Sequence, residues 1–321
     1  MLRVKLALLL IAATVVRAQS DGIYGRLRRA LAQSGEGDAA VGELSKGHYA
    51  HVEEMLDRAK GSGQTSSAEL LSLGGAVAFL GGDIKGSVLR FQEAAALAPL
   101  GEGDAFTLAM ALANLGDDAR SRSVLTELAG KHPEQAIYAY WLGRLDYDQR
   151  RYGEAVEKLK RAVELDGNSP RFWDSLGLAY DMQGQMEQAH EAFEKGVNLN
   201  RTQPRPSPWP PHDLGYWLLR TDRPKEAEAA LREALRYDPR LVQAHYHLGR
   251  TLEKEGRTSE AIDEYRAAVS NDTSSTDACY SLATLYRKLH RDAEANAMFA
   301  EYKKRREAQA APAIKASDEK D

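Results

Sequence analysis

The side chains that could do chemistry in this chain of 321 residues are few and scattered. His48 and His51 stand three apart, which puts two imidazoles on one helix face as metal ligands sometimes are, but neither a cysteine nor a third helix-borne ligand accompanies them. His245 and His247 are two apart, a spacing that turns them to different faces. Cys279 is the only thiol, and it stands among positions that also hold Trp173 and His245, as a packed side chain does rather than a nucleophile. The stretch "GSGQTSS" has glycines but lacks the lysine that a phosphate-cradling loop supplies, so it reads as a linker. No HExxH, GxSxG or paired CxxC occurs. The expectation is a protein that is not an enzyme, with no catalytic residues, no cofactor and no metal.

What remains is a question of which elements the chain builds. With 43% apolar and 28% charged residues it can bury a core and is not a disordered polymer. A net charge of −4 and a pI near 6.1 argue against nucleic acid as a partner. The first residues, "MLRVKLALLLIAATVVRAQ", place Arg3 and Lys5 before an apolar run from Leu6 to Val16 and end on Val16-x-Ala18. That is the organisation of a secretory signal, and the run is short for a membrane span. Cleavage is expected after Ala18, with an uncleaved anchor as the rival reading. It removes Arg3, Lys5 and Arg17 and no acid, which leaves a mature chain of −7. The protein is then expected to be exported, periplasmic or secreted, with no stable membrane insertion. A lone cysteine makes no intrachain disulfide, so stability must come from packing.

The packing is written in three columns. Gly75, Ala109, Gly143, Gly177, Gly215, Gly249 and Ala283 follow one another at steps of 34, with a single step of 38 after Gly177. Twelve residues past each stands Ser87, Ser121, Ala155, Ala189, Ala227, Ala261 or Ala295, and four further on Phe91, Leu125, Leu159, Phe193, Leu231, Tyr265 or Phe299. Small residues let two helices approach, and the large ones fill what is left. The period, W-x2-L-G-x2-Y over 173–180 and A-x3-F over 189–193, and Pro99, Pro133 and Pro239 at unit ends resemble the tetratricopeptide repeat, a helix-turn-helix unit of 34 residues. The resemblance covers 68–309 as seven repeats and implies an all-α fold, a right-handed superhelical solenoid of stacked helix pairs.

Outside the repeats the boundaries are expected as follows. Residues 19–67 hold a cap helix and a degenerate repeat, whose second helix is "GHYAHVEEMLDRA" with Val52 and Leu56 in the small and large columns. "RTQPRPSPWPPHD", 201–213, carries four extra residues and five prolines. It is expected to be an extended excursion that serves as a rigid spacer with Trp209 packed on a neighbouring helix, or as a ligand-contacting loop with Trp209 at its tip. Residues 310–321 are expected to be a disordered tail. Asn200 and Asn271 head N-x-T sequences.

The resemblance further implies that the first helix of each repeat lines a binding groove, with the positions three before and one after the small residue pointing into it. Those positions hold Phe106, Tyr140, Arg144, Tyr216, Tyr246, Arg250 and Tyr280, with Met110, Asp174, Leu178, His212 and Thr284 between them. Aromatic and Arg side chains are the usual anchors of binding surfaces. The family variant that grips a terminal carboxylate uses Lys and Asn in its early units, where this chain has Ser72, Ala76, Phe106 and Met110. The function this implies is a non-catalytic scaffold that binds a protein or peptide segment in the groove. The alternative is an accessory or regulatory subunit of a cell-envelope enzyme complex.

Overall fold

The computed structural model describes residues 20–60, 65–272 and 275–318, so the expected leader over 1–18 lies outside the described residues. Among those described there are seventeen helices and no strand. The first eight are α1 (Ser20–Ala30), α2 (Gly37–Lys46), α3 (Tyr49–Lys60), α4 (Ser67–Gly81), α5 (Ile84–Leu97), α6 (Glu102–Asn114), α7 (Asp118–Lys131) and α8 (Ala136–Asp148). Next come α9 (Tyr152–Leu165), α10 (Pro170–Met182), α11 (Met186–Arg201), α12 (Trp209–Arg220) and α13 (Pro224–Tyr237). The last are α14 (Val242–Lys254), α15 (Thr258–Asn271), α16 (Thr276–Lys288) and α17 (Asp292–Asp318). The chain divides into an N-terminal body ending at Gln149 and a C-terminal body beginning at Arg150.

Within each body the columns are contacts between the two helices of a repeat. A Cβ on Gly177 of α10 would lie 2.7 Å from the Phe193 ring of α11, one on Gly249 2.7 Å from the Tyr265 ring, and one on Gly75 3.0 Å from the Phe91 ring. The small residue is therefore seated directly under the large one of its own pair, and Phe91, Phe193 and Tyr265 are almost wholly buried. On the other helix Ser121 is fully buried and donates its hydroxyl to the Ala109 carbonyl at 2.8 Å, which serves the polar atom without a side-chain partner. First helices of successive repeats also touch one another, as α4 and α6, α10 and α12, and α12 and α14 do.

The turn inside each pair imposes a fourth column. Seven residues past the small one the backbone is left-handed: Gly82, Gly116, Gly184 and Gly256 lie at φ between 74° and 84°, Arg150 at 60°, Asp222 at 64° and His290 at 56°. Each ends the first helix. At Gly82 the amide bonds back to the Phe79 carbonyl at 3.1 Å and the Asp83 amide to the Ala78 carbonyl at 2.9 Å, a closure repeated by His290 and Arg291. The next helix starts at once, and Asp83 and Asp117 cap α5 and α7 with their carboxylates on the Gly86 and Arg120 amides.

The partner that the degenerate repeat needs is α2, which meets α3 through Gly47 at φ 81°, and Val52 and Leu56 are fully buried as their columns require. At the other end the backbone is helical through Asp318, where a disordered tail is expected from residue 310. Four of those nine residues, Ala310, Ala311, Ala313 and Ala316, are the strongest helix former, although Pro312 stands among them.

The Pro-rich stretch is shorter and more ordered than a polyproline excursion. Helix α11 runs through Arg201, and α12 already begins at Trp209, with Pro210 and Pro211 in its first turn where a missing N–H costs nothing. Only 202–208 are non-helical. Asn200, 1% exposed, closes them by donating to the Ser207 carbonyl and accepting from the Ser207 amide, both at 2.8 Å. Trp209 is half-buried and packs against the cluster of Ala234, Leu241 and Ala244, so its ring is a packing element and not the tip of a loop.

Candidate functional site

In the N-terminal body the expected groove residues are largely inside. Phe106 is 3% exposed with its ring 5.7 Å from that of Tyr138, and Tyr140 is 3% exposed with its ring edge-on to Trp141. These two fill space between helices, which corrects the expectation that they face a ligand. For Phe106 the reason is the contact of α6 with the preceding first helix α4, and Asp174 and His212, which also stand three before the small residue on the touching helices α10 and α12, are buried as well. Arg144 keeps part of its surface, lying 3.9 Å from Asp148 and over the Tyr147 ring. Burial pushes the Asp148 carboxyl up from its usual range.

The C-terminal body keeps a strip of accessible aromatic rings. Tyr216 is half-buried, stacked on His247 at 4.4 Å, with the Arg220 guanidinium 5.6 Å from its ring. Tyr246 is half-buried against Tyr265, and Arg250, exposed, lies 5.9 Å from its ring. Tyr280 is 51% exposed and packs beside Phe299 and Tyr302, which carry Arg287 and Arg306 on their faces. The sequence names Tyr216, Tyr246, Arg250 and Tyr280; it misses Arg220, Arg306 and Tyr302. The signal was present in the spacing, because Tyr216–Arg220, Tyr246–Arg250 and Tyr302–Arg306 are all four apart on a helix.

Beneath the strip lies a polar chain. Asp213 Oδ1 lies 2.6 Å from His212 Nδ1, and the other ring nitrogen of His212, Nε2, lies 3.0 Å from His247 Nδ1, so the two imidazoles share a hydrogen bond. His212 is fully buried and His247 8% exposed, and the pair joins α12 to α14 and backs the Tyr216 ring. It fixes the strip and reaches no open surface where a substrate would meet it.

The other titratable candidates are structural. His48 and His51 both turn their Nδ1 atoms to one oxygen of Glu43, at 2.7 and 3.3 Å. With Lys46 they hold that carboxyl down to about 2. His245 is gripped by Glu264 at 2.6 Å, and Cys279 is buried, which pushes its thiol up and away from reactivity. Among the described residues no group of three or more His, Cys, Asp or Glu is arranged to hold a metal, and no helix is long and apolar enough to cross a membrane. A cluster invisible in the sequence joins Arg26 of α1 to Glu69 and Ser72 of α4 and Asp104 of α6.

A family model described as tetratricopeptide repeat matches residues 106–170, 142–204 and 212–278, more than half of the chain, and the protein belongs to that family. Among solved structures, a tetratricopeptide repeat protein from Parabacteroides merdae superposes with a TM-score of 0.61 at 14% identity, covering 78% of this chain and 93% of that one. A chain of the APC/C hetero-tetramer Cut9–Hcn1 gives 0.63 at 15% identity over 77% of this chain and 48% of its own. MamA gives 0.47 at 24% identity over 53% of this chain and 96% of its own. These likenesses are of fold alone. No curated protein matches the chain.

Proposed function

We propose that the protein is exported by its leader and works as a non-catalytic scaffold that binds a protein or peptide segment along the strip of Tyr216, Tyr246, Arg250 and Tyr280; Arg144 is proposed separately, as a contact of the N-terminal body taken by itself. The observation that carries this reading is the run of half-buried and exposed tyrosines, with guanidinium groups on the faces of Tyr216 and Tyr246. Rings anchored on rigid helices offer contact area at little entropic cost, and Arg seeks carboxylates. On an acidic chain those guanidinium groups would draw the carboxylate-bearing segments that the rest of the surface repels.

The test has two arms. Terminal sequencing of protein from the native host should return Gln19, and recovery of Met1 on membrane-bound material would favour the anchor. Partner capture from envelope extract should weaken at least tenfold in a Tyr246→Ala, Arg250→Ala variant whose melting curve is native, since truncating a true anchor costs about 1 to 4 kcal/mol of binding. Undiminished capture by that variant removes the strip as the binding surface.

A further inference from the structure

The face made by α4 and α6 is a ready-made seat for a guanidinium, and in this structure the protein fills it with its own first helix. Arg26 places Nε on Glu69 Oε1 at 2.8 Å and Nη2 on Glu69 Oε2 at 3.1 Å. It places Nη1 and Nη2 on the two Asp104 oxygens at 2.9 and 2.8 Å, and Nη2 also meets Ser72 Oγ at 3.1 Å. Ser72 donates to Asp104 in turn. The two carboxylates and the hydroxyl therefore engage every nitrogen of one planar fork, a recognition that a lysine cannot reproduce. Asp104 and Ser72 are 7% and 5% exposed although they stand on the face of first helices, and the ion pairs of Glu69 and Asp104 among the described residues both go to Arg26.

Helix α1 is a poor fit to this seat in two respects. It carries Gly22 and Gly25 within its eleven residues, so its own helical propensity is low. Between Gly22, Ile23 and Arg26 on one side and Ala76, Gly101, Gly103 and Thr107 on the other, a cavity of about 380 Å³ remains. Its hold comes from Arg26 and from Ile23, Leu27 and Leu31, which are 7%, 0% and 0% exposed.

We infer that the Glu69, Ser72 and Asp104 face is a binding site for an amphipathic helix bearing an arginine four residues after a bulky apolar one, and that α1 is its tethered occupant, displaced when such a partner binds. A side chain larger than glycine at the position of Gly22, which lines the cavity, would take up part of it, and the arginine takes over the fork. Because the free site exists only while α1 is off, the apparent affinity in the intact chain is lowered by the docked fraction. The site draws on none of the residues in the tyrosine strip, so either reading can fail without the other.

The probe is a labelled peptide of residues 20–30 with Gly22→Leu and Gly25→Ala, titrated into the full chain and into its Arg26→Glu variant, in which charge repulsion frees α1. Binding at least tenfold tighter to Arg26→Glu than to the wild-type chain is expected, with loss of at least tenfold when the arginine of the peptide at position 26 is replaced by glutamine. Hydrogen exchange should show α1 amides of the wild-type chain opening as peptide is added. Failure of the peptide to bind Arg26→Glu while α4 and α6 stay protected overturns the proposal, as does binding indifferent to the peptide's arginine. Loss of protection in α4 and α6 in Arg26→Glu itself overturns it too, because α1 would then be a fixed part of the core.

Discussion

Adding one methyl group to Gly177 should destabilise the protein, against the usual rule for glycine in a helix. An alanine in the middle of a helix is favoured over glycine by about 1 kcal/mol. At this position its Cβ would stand 2.7, 2.9 and 3.0 Å from three atoms of the Phe193 ring. That ring is 1% exposed and walled by Ala189, Val197, Leu214 and Trp217, so it has no direction in which to retreat. Overpacking of this kind costs about 1 to 3 kcal/mol, which outweighs the propensity gain and leaves a net loss of about 1 kcal/mol. Gly177→Leu should lose more. Gly42, inside α2, has nothing within 4 Å of a built Cβ, so Gly42→Ala should gain about 0.5 to 1 kcal/mol. A double variant offers a rescue, because the pair Ala109 and Leu125 shows that alanine is accommodated opposite leucine. Gly177→Ala with Phe193→Leu should therefore lose less than the sum of the two single changes. Thermal midpoints and amide protection in α10 and α11 read these outcomes. A Gly177→Ala midpoint at or above wild type would refute the account of why the column is small.

Two further outcomes follow from other positions. His290→Gly should raise stability by about 0.5 to 1 kcal/mol, since His290 is exposed at φ 56° and the left-handed strain it relieves exceeds the entropy glycine adds to the unfolded chain, and an unchanged or lowered midpoint would count against this. For His245, burial alone would lower the pKa, but the Glu264 carboxylate and the Pro239 carbonyl outweigh it and raise the value above 6.5. The stabilisation by the charged ring is full below the unfolded pKa and fades as pH rises through the folded one, so the gap between wild type and His245→Gln should be widest below about pH 6.5 and close toward alkaline pH. A gap that widens with pH would contradict it.

The columns were legible because packing acts on side-chain volume, and volume is what a sequence states directly. Beneath the buried rings of Phe91, Phe193 and Tyr265 the residue is glycine, while the half-buried ring of Phe299 is matched with Ala283. The left-handed column was half-hidden, because Arg150, Asp222 and His290 occupy a conformation that only the four glycines advertise. The burial of Phe106 and Tyr140 was not legible, because residue type does not say whether an aromatic side chain on a first helix is left open or is claimed by a neighbouring element. The Arg26 seat joins residues 43 and 78 positions apart, and no local spacing announces it.

The clamp at Asn200 bears on how the protein can be made. Asn200-Arg201-Thr202 is an acceptor sequence for N-linked sugar, and an oligosaccharyltransferase acts on the chain as it emerges, before the fold can hide the amide. A glycan on Nδ2 would replace the donor that holds the Ser207 carbonyl, at a side chain with 1% of its surface open. Secretion through a glycosylating host would thus yield molecules in which the turn between α11 and α12 cannot close, while a host without that machinery, or an Asn200→Asp chain that keeps the acceptor for the Ser207 amide, escapes the trap.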